Sequence, residues 1–279
     1  MQYMNETIIR TLLPPRKRDT HKGDYGKILL LCGSRGYTGA AALCAMGALR
    51  TGAGLVYLAV PESIYDIEAV KLTEPVVLPL PDREGMLCAD SIPKIAELLP
   101  KMDAVLFGCG SGLGPGTEGV LKYLLEHAEC PLVLDADGIT LAAKHKDILR
   151  GRLMTTILTP HDGEFARLMP PDGPRTEQTM ALAKNLGCIL LRKGHRTLIT
   201  DGESCWENQT GNPGMATGGS GDVLAGVIVS LLGQGVGHLD AAAAAAWLHG
   251  RAGDLAAERL GEYGLLPSDL VDELPRLLK

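Results

Sequence analysis

Short apolar runs alternate with longer amphipathic segments from residue 27 onward, and this alternation limits the possible folds more than any other feature. Most of the short runs are apolar at every position, as expected for strands buried on both faces of a parallel sheet. The pattern predicts an α/β fold with a mostly parallel central sheet flanked by helices on both faces. Strands are predicted at 27–33, 55–60, 76–80, 104–108, 131–136, 155–160 and 188–194, and helices at 39–52, 91–99, 117–128 and 174–187.

The last third of the chain has a different pattern. Residues 198–202 and 204–208 predict a β-hairpin, and three helices are predicted after it, at 220–233, 240–260 and 267–278. No internal repeat or linker rich in proline and glycine divides the sequence. We therefore expect a single domain over residues 1–279.

Composition and charge favour a small-molecule partner. The net charge of -6 is spread along the chain without a block of like charges, which argues against a tail that binds nucleic acid or membranes. The seven cysteines form no CxxC pair, so we expect core thiols in a reducing compartment rather than disulfides or a zinc cage. A signal peptide and a long apolar run are both missing from the sequence, which predicts a cytoplasmic protein.

The densest motif is the glycine-rich segment 211–222, which directly precedes an apolar helical pattern. Glycines at 218, 219 and 221 let backbone amides converge on an anion, and the start of a helix adds positive potential, so a phosphate cradle is predicted. The segment is neither a Walker A loop nor a GxGxxG fingerprint. Asp222 is the candidate for a chemical role, although an acidic residue there also suits a helix cap worth about 0.5–2 kcal/mol.

Polar or glycine-rich clusters follow several other strands, where ligands bind in open α/β sheets. The cluster 159–164 offers His161 for ligand binding or proton exchange, with a simple helix start as the alternative. Segment 108–116 suggests a close approach of ligand to backbone, or a plain turn. Asp135 and Asp137 are candidates for holding a metal through water, or for capping the next helix.

Three further loops remain open from the residues alone. Segment 192–197 offers cations near a nucleotide, or is a solvated turn. Loops 21–27 and 33–41 bracket the first strand, and one of them is expected to cover a ligand. The remaining histidines are expected at surface or core positions without a chemical role: His127, His145, His238 and His249.

Taken in order, the segments HKGDYGK, GSRGYTGAAALCA, GSGLG, LDADG, LTPHDGE, LRKG and GNPGMATGGSGDVLAG resemble the NAD(P)H-hydrate dehydratase family of the ribokinase-like superfamily, over about residues 8–278. The resemblance implies a ribokinase-like fold. It also implies ADP- or ATP-dependent dehydration of the S form of NADH-hydrate and NADPH-hydrate, which restores NADH and NADPH. In that family the added hydroxyl is phosphorylated, and phosphate is then eliminated.

The resemblance also assigns roles to individual positions. Asp222 matches the aspartate that takes the proton from the attacking hydroxyl. Mg²⁺ is expected on the nucleotide phosphates, without protein residues that bind metal directly. Nucleotide contacts are expected at Lys193, Gly194, His195, Arg196, Thr197, Gly218, Gly219, Ser220 and Gly221. Contacts with the hydrated dinucleotide are expected at Ala40, Ala41, Gly112, His161 and Asp222.

Two departures from the family pattern are Gly138-Ile139 after LDAD and Asp162 within TPHDGE. Many bacterial members carry an N-terminal epimerase domain, for which we expect no room, so a separate NAD(P)H-hydrate epimerase is implied. ADP is the expected donor, and a homo-oligomer such as a tetramer is expected. One alternative function is a ribokinase-like kinase of a vitamin precursor, hydroxymethylpyrimidine or hydroxyethylthiazole. Another is a nucleotide-binding regulatory protein without catalysis.

Overall fold

A nine-stranded sheet forms the centre of the protein in the computed structural model, which describes residues 1–13, 15–170 and 172–278. Its strands lie in the order β11-β10-β9-β8-β7-β6-β1-β2-β3. All neighbours are parallel except at β9-β10 and β10-β11. The strands are β1 Lys27–Leu31, β2 Leu55–Pro61, β3 Val76–Leu80, β6 Ala104–Phe107, β7 Leu132–Leu134, β8 Thr156–Leu158, β9 Ile189–Arg192, β10 Leu198–Thr200 and β11 Cys205–Glu207, with a separate hairpin of β4 Asp82–Arg83 and β5 Met86–Leu87.

Helices connect most of the strands and cover the sheet. The described residues contain α1 Glu6–Leu12, α2 Thr38–Arg50, α3 Glu62–Lys71, α4 Ile92–Leu98, α5 Pro115–His127, α6 Asp137–Ala142, α7 Lys146–Gly151, α8 Asp162–Leu168, α9 Arg175–Leu186, α10 Ser220–Gly233, α11 His238–Leu260 and α12 Pro267–Leu277. Short 3₁₀ turns lie at Lys22–Tyr25, Ala89–Ser91, Leu99–Lys101 and Pro213–Met215.

Both faces of the sheet are buried, as the continuous apolar runs predicted. Along β1, Ile28 and Leu30 belong to the hydrophobic cluster that also contains α2, α10 and α11. Leu29 and Leu31 point to the opposite cluster, built with α5 and α9. Each layer excludes water from one face, and this explains why these strands lack the alternation of half-exposed ones.

The predicted strands and the hairpin are confirmed to within about two residues, whereas five helices were not predicted as elements: α1, α3, α6, α7 and α8. The starts of α6 and α8 had been considered only as alternatives. The reason is clearest in α3, which follows β2 without a break. Among its residues only Ile64 and Glu68 are buried, so the helix presents almost no apolar stripe to detect. The helix α6 is largely buried but has only six residues, too few to show a helical period in the sequence.

The strand order reverses between β1 and β6, and this reversal opens a crevice at their carboxyl ends. The loops that follow the two strands are joined there. The Gly33 amide donates to the Cys109 carbonyl at 2.8 Å, and the Ser34 hydroxyl donates to the Gly110 carbonyl at 2.7 Å. Because β7, β8 and β9 run parallel to β6, the segments after them reach the same edge.

Two expectations from composition can be checked in the described part of the chain. Its seven cysteines are all buried and free, which confirms that they are core thiols. None of the described helices combines the length and apolar character needed to cross a membrane.

Candidate active site

The glycine loop ends where α10 begins, at the sheet edge that holds the crevice. Gly219 takes a φ of 102°, a left-handed conformation that favours glycine, and Ser220 closes the turn by donating from its hydroxyl to the Met215 carbonyl at 2.8 Å. Gly218 is exposed, and a Cβ atom added to it would have no neighbour within 4 Å. The loop therefore leaves room for a ligand at the positive end of a 14-residue helix.

Asp222 lies in the first turn of α10, next to that space. Burial, followed by the nearby charge of Asp135, raises the pKa of Asp222 to about 7. A carboxylate with a pKa near neutrality accepts a proton more readily than an ordinary aspartate does while remaining partly ionised. These properties suit Asp222 to act as a base.

A buried ion pair lies beneath the glycine loop. Lys193 Nζ is 2.6 Å from Asp135 Oδ1, and the Thr159 hydroxyl donates to the same oxygen at 2.6 Å. A Cβ atom added to Gly221 would lie 3.3 Å from Lys193 Nζ and 3.6 Å from Asp135 Oδ2. The pair joins the ends of β9 and β7 directly under the predicted phosphate site.

The charge of Lys193 is held in place by carboxylates on two sides. Burial opposes this charge, but Asp135 and Glu164 outweigh burial and raise the pKa of Lys193. The sequence predicted Lys193 near the adenosine part of a nucleotide. Its backbone begins the turn after β9, and that contact stays a prediction. Its amine points at Asp135 beside Gly221, so the positive potential of the side chain acts on the glycine loop.

Asp137 shapes the neighbouring loop. It accepts a hydrogen bond from the Gly112 amide at 2.8 Å, and Gly112 has a φ of 80°. Ala136, between the two aspartates, has a φ of 49°, which is strained for a residue with a side chain. Neither aspartate provides the N-cap of α6, because that position is Ala136, which makes no capping bond with its side chain. The capping alternative for Asp135 and Asp137 is therefore wrong.

His161 caps α8. Its Nδ1 accepts hydrogen bonds from the amides of Gly163 at 3.0 Å and Glu164 at 3.2 Å. This arrangement leaves the proton on Nε2, and the side chain is 57% exposed. Nε2 also lies 3.5 Å from Glu164 Oε1. The helix-start role of His161 is therefore confirmed, and its contact with a ligand stays a prediction.

The two alanines predicted to contact the dinucleotide lie in the first turn of α2 and differ in exposure. Ala40 is partly exposed and packs near Gly110, where an added Cβ atom would lie 3.0 Å from the Ala40 methyl group. Ala41 is completely buried under Gly33. The side chain of Ala41 therefore has no surface with which to contact a ligand, whereas Ala40 does.

The turn after β9 is largely exposed, with Gly194, His195 and Arg196 open to solvent. Its shape is held by Arg175 of α9, which donates to the carbonyls of Arg196 at 3.0 Å and Lys193 at 2.9 Å. Sequence reasoning did not find Arg175, because it lies on a separate helix and has no motif around it. The turn is therefore exposed to solvent, and Arg175 fixes the conformation of its backbone.

The two loops lie at opposite ends of β1. Loop 33–41 follows the carboxyl end of β1 and borders the crevice. In loop 21–27, a Cβ atom added to Gly26 would lie 2.1 Å from the carbonyl oxygen of Gly233, at the far end of α10. A 14-residue helix spans about 20 Å, so of the two only loop 33–41 can cover a ligand at the glycine loop.

His249 of α11 belongs to the site but was expected to have no role. It is 8% exposed, and its Nε2 atom has no hydrogen-bond partner among the described residues. Burial lowers its pKa to about 4, although a hydrogen bond with the backbone of Ser220 acts in the opposite direction. The ring is therefore neutral and supports the start of α10. Sequence reasoning missed His249 because it reaches this position only when the chain folds.

This arrangement agrees with the comparison with known proteins. The family model described as NAD(P)H-hydrate dehydratase matches residues 28–276. The chain belongs to this family. The matched range includes the glycine loop and Asp222. It also includes the strands that border the crevice, apart from the first residue of β1.

Relatives cover the chain almost completely. A bifunctional NAD(P)H-hydrate repair enzyme from Moorella thermoacetica is 42% identical, over 100% of this chain and 55% of its own length, so the chain spans about half of that relative. An ADP-dependent (S)-NAD(P)H-hydrate dehydratase from Listeria monocytogenes is 34% identical over 96% of this chain and 92% of its own length.

A solved structure of a family member confirms the fold. The ADP/ATP-dependent NAD(P)H-hydrate dehydratase from Bacillus subtilis, co-crystallised with ATP and Mg²⁺, matches with a TM-score of 0.84 and 30% identity. The match covers 99% of this chain and 97% of that one. The predicted ribokinase-like architecture is therefore confirmed.

Proposed function

We propose that this protein is an (S)-NAD(P)H-hydrate dehydratase that uses ADP or ATP to restore NADH and NADPH from their hydrates. The observation that carries the proposal is the position of Asp222. Its carboxylate, with a pKa raised to about 7, lies in the first turn of the helix whose N-terminus forms the glycine loop. A phosphoryl group held by the loop and a hydroxyl held by Asp222 would meet at this point.

The reaction proceeds in two steps, phosphorylation of the added hydroxyl and elimination of phosphate. Asp222 takes the proton of the added hydroxyl while its oxygen attacks the terminal phosphorus of the nucleotide, giving a phosphate ester and, from ADP, AMP. The carbon–oxygen bond of the ester then breaks, and loss of a proton from the ring restores the double bond. Phosphate is a much better leaving group than hydroxide, so two easier steps replace one difficult dehydration.

The other predicted residues hold the two substrates. Gly218, Gly219, Ser220 and Gly221 offer backbone amides to the phosphates, and the turn formed by Lys193, Gly194, His195, Arg196 and Thr197 holds the adenosine part. Lys193, paired with Asp135 below the loop, adds positive potential. Ala40, Gly112 and the Nε2–H group of His161 contact the hydrated dinucleotide, whereas the buried methyl group of Ala41 packs under Gly33.

Mg²⁺ would neutralise charge on the phosphates. The described residues offer one carboxylate-rich group near the loop, Cys109, Asp135 and Asp222, whose ligand atoms lie within 4.8 Å of one another. Mg²⁺ prefers oxygen ligands, and Asp135 is already occupied by Lys193 and Thr159. These residues therefore fit a Mg²⁺ ion that would be held mainly by phosphate oxygens and water. Asp222 is the carboxylate of this group that is not paired with Lys193.

Further aspects of the proposal rest on the relatives. The Listeria relative is named for ADP, and we propose ADP as the donor here. The bifunctional repair enzymes suggest a functional link to an NAD(P)H-hydrate epimerase. We further propose a cytoplasmic location, a homo-oligomer such as a tetramer, and one catalytic domain over residues 1–279.

The test is recovery of near-ultraviolet absorbance from chemically hydrated NADH, because the reduced nicotinamide absorbs there and its hydrate does not. Parallel reactions contain Mg²⁺ with ADP, ATP or no nucleotide. A nucleotide-dependent rise supports the proposal and identifies the donor. If none of the reactions gives a rise, and hydroxyethylthiazole or hydroxymethylpyrimidine instead forms a stable phosphate ester, the protein is a vitamin-precursor kinase.

A further inference from the structure

Three thiols converge directly behind the catalytic aspartate. Cys32 follows β1, Cys109 follows the adjacent strand β6, and Cys44 lies in α2, which packs over both. Their Sγ atoms all lie within 4.8 Å of one another. We propose that this cluster, here called the thiol triad, binds a thiophilic cation such as Zn²⁺ and that its occupation inhibits the enzyme.

The geometry of the thiol triad matches such an ion. Zinc–thiolate bonds are about 2.3 Å long, so an ion between three sulfurs places them about 4 Å apart. The observed upper limit of 4.8 Å requires each sulfur to move by less than about 1 Å. Thiolates prefer zinc and copper(I) to Mg²⁺, so the triad does not compete for the ion on the nucleotide.

Binding of a cation to the thiol triad is coupled to the loss of protons. Each thiol that coordinates the ion must release its proton to water, so affinity rises with pH. The three residues are fully buried, which also shields the bound ion from exchange with solvent.

An ion can reach the thiol triad from the catalytic crevice. The Cys109 thiol donates to Asp135 Oδ2 at 3.5 Å, and Cys109, Asp135 and Asp222 form a second group with ligand atoms within 4.8 Å. Asp222 is partly exposed, so the carboxylates connect the crevice to the sulfurs. A coordinated Cys109 has lost its proton and with it the hydrogen bond to Asp135 Oδ2. Asp135 lies directly beneath the glycine loop, so occupation of the thiol triad disturbs the site.

The test measures binding without reference to activity. Reduced protein is titrated anaerobically with Cd²⁺, whose bonds to thiolates give ultraviolet charge-transfer absorption, and Zn²⁺ binding is measured by equilibrium dialysis. We expect one ion per wild-type chain. Cys44→Ala and Cys32→Ala should each weaken binding at least about 10-fold, judged from the loss of one of three ligands. Cys188→Ala, which removes a buried thiol outside the triad, should bind as the wild type does.

Circular dichroism shows which variants fold. If Cys44→Ala does not fold, Cys32→Ala replaces it in the binding test. Absence of charge-transfer absorption in the wild type, or equal binding by the triad variants, overturns the site. The inhibition rests on the proposed function: Zn²⁺ should slow the wild type more than Cys44→Ala, each relative to its own zinc-free rate. Binding without this difference overturns the inhibition alone, and a protein without dehydratase activity still reports on the site.

Discussion

Lys193 Nζ lies 2.6 Å from Asp135 Oδ1, and this ion pair joins two strands directly beneath the glycine loop. Asp135 is 2% exposed, so its charge has little water to solvate it if the lysine is removed. The pair is therefore part of the framework that holds the site, as well as a source of positive potential for an anion above it.

The first prediction concerns this ion pair. Lys193→Met leaves a buried carboxylate without its partner and should lower the free energy of unfolding by about 3 kcal/mol, measured by urea denaturation. Lys94→Met is the control, because Lys94 pairs with Glu97 at an exposed position and should cost less than about 1 kcal/mol. Equal losses in the two variants would show that the pair below the loop has no special role.

A second prediction concerns the pH dependence of activity. Asp222 accepts a proton only when ionised, so kcat/KM should fall as pH decreases through about 7, the raised pKa of Asp222. Asp135→Asn removes a negative charge that contributes to this shift and should move the acid limb to lower pH. A pH–rate profile of both proteins checks this, and an unmoved limb in the variant would contradict the proposed coupling.

The same carboxylate should reduce stability, which gives a third prediction. The folded-state pKa of Asp222 is above its unfolded value, so protonation is favoured in the folded state and stability decreases as pH rises through that interval. Asp222→Asn should therefore raise the free energy of unfolding by about 1 kcal/mol or more at pH about 8, and by much less at pH about 4. A variant that is less stable than the wild type at the higher pH would contradict this account.

A fourth prediction separates folding from phosphate binding in the glycine loop. A Cβ atom added to Gly218 meets nothing within 4 Å, so Gly218→Ala should fold normally. The methyl group would occupy the space expected for phosphate, and nucleotide affinity measured by calorimetry should fall about 10-fold or more. Gly119→Ala, an equally open position in α5, is the control and should leave affinity unchanged.

His161 allows its two roles to be tested separately. Asparagine is a good N-cap residue, so His161→Asn should keep stability within about 0.5 kcal/mol of the wild type, whereas His161→Ala should lose about 1 kcal/mol. Both variants lack the exposed ring nitrogen and should show a raised KM for the hydrate. An unchanged KM in His161→Asn would leave only the capping role.

The sequence predicted the strands, the hairpin and the loops that border the crevice, because each depends on a local pattern. It could not show that Lys193 pairs with Asp135 or that Arg175 shapes the turn after β9, since these contacts join distant segments. His249 was set aside for the same reason, because its contact with Ser220 exists only once α11 packs on α10. The proximity of Cys32, Cys44 and Cys109 likewise has no signature in their spacing.

The most direct test of the central claim compares wild type with Asp222→Asn in the recovery of NADH from its hydrate, with nucleotide binding measured on the same samples. The account predicts nucleotide-dependent recovery by the wild type. It predicts a loss of at least about 100-fold in rate for Asp222→Asn, with nucleotide affinity retained. Recovery by the variant at the wild-type rate would contradict the assignment of Asp222 as the base, and absence of recovery by the wild type with either nucleotide would contradict the proposed function itself.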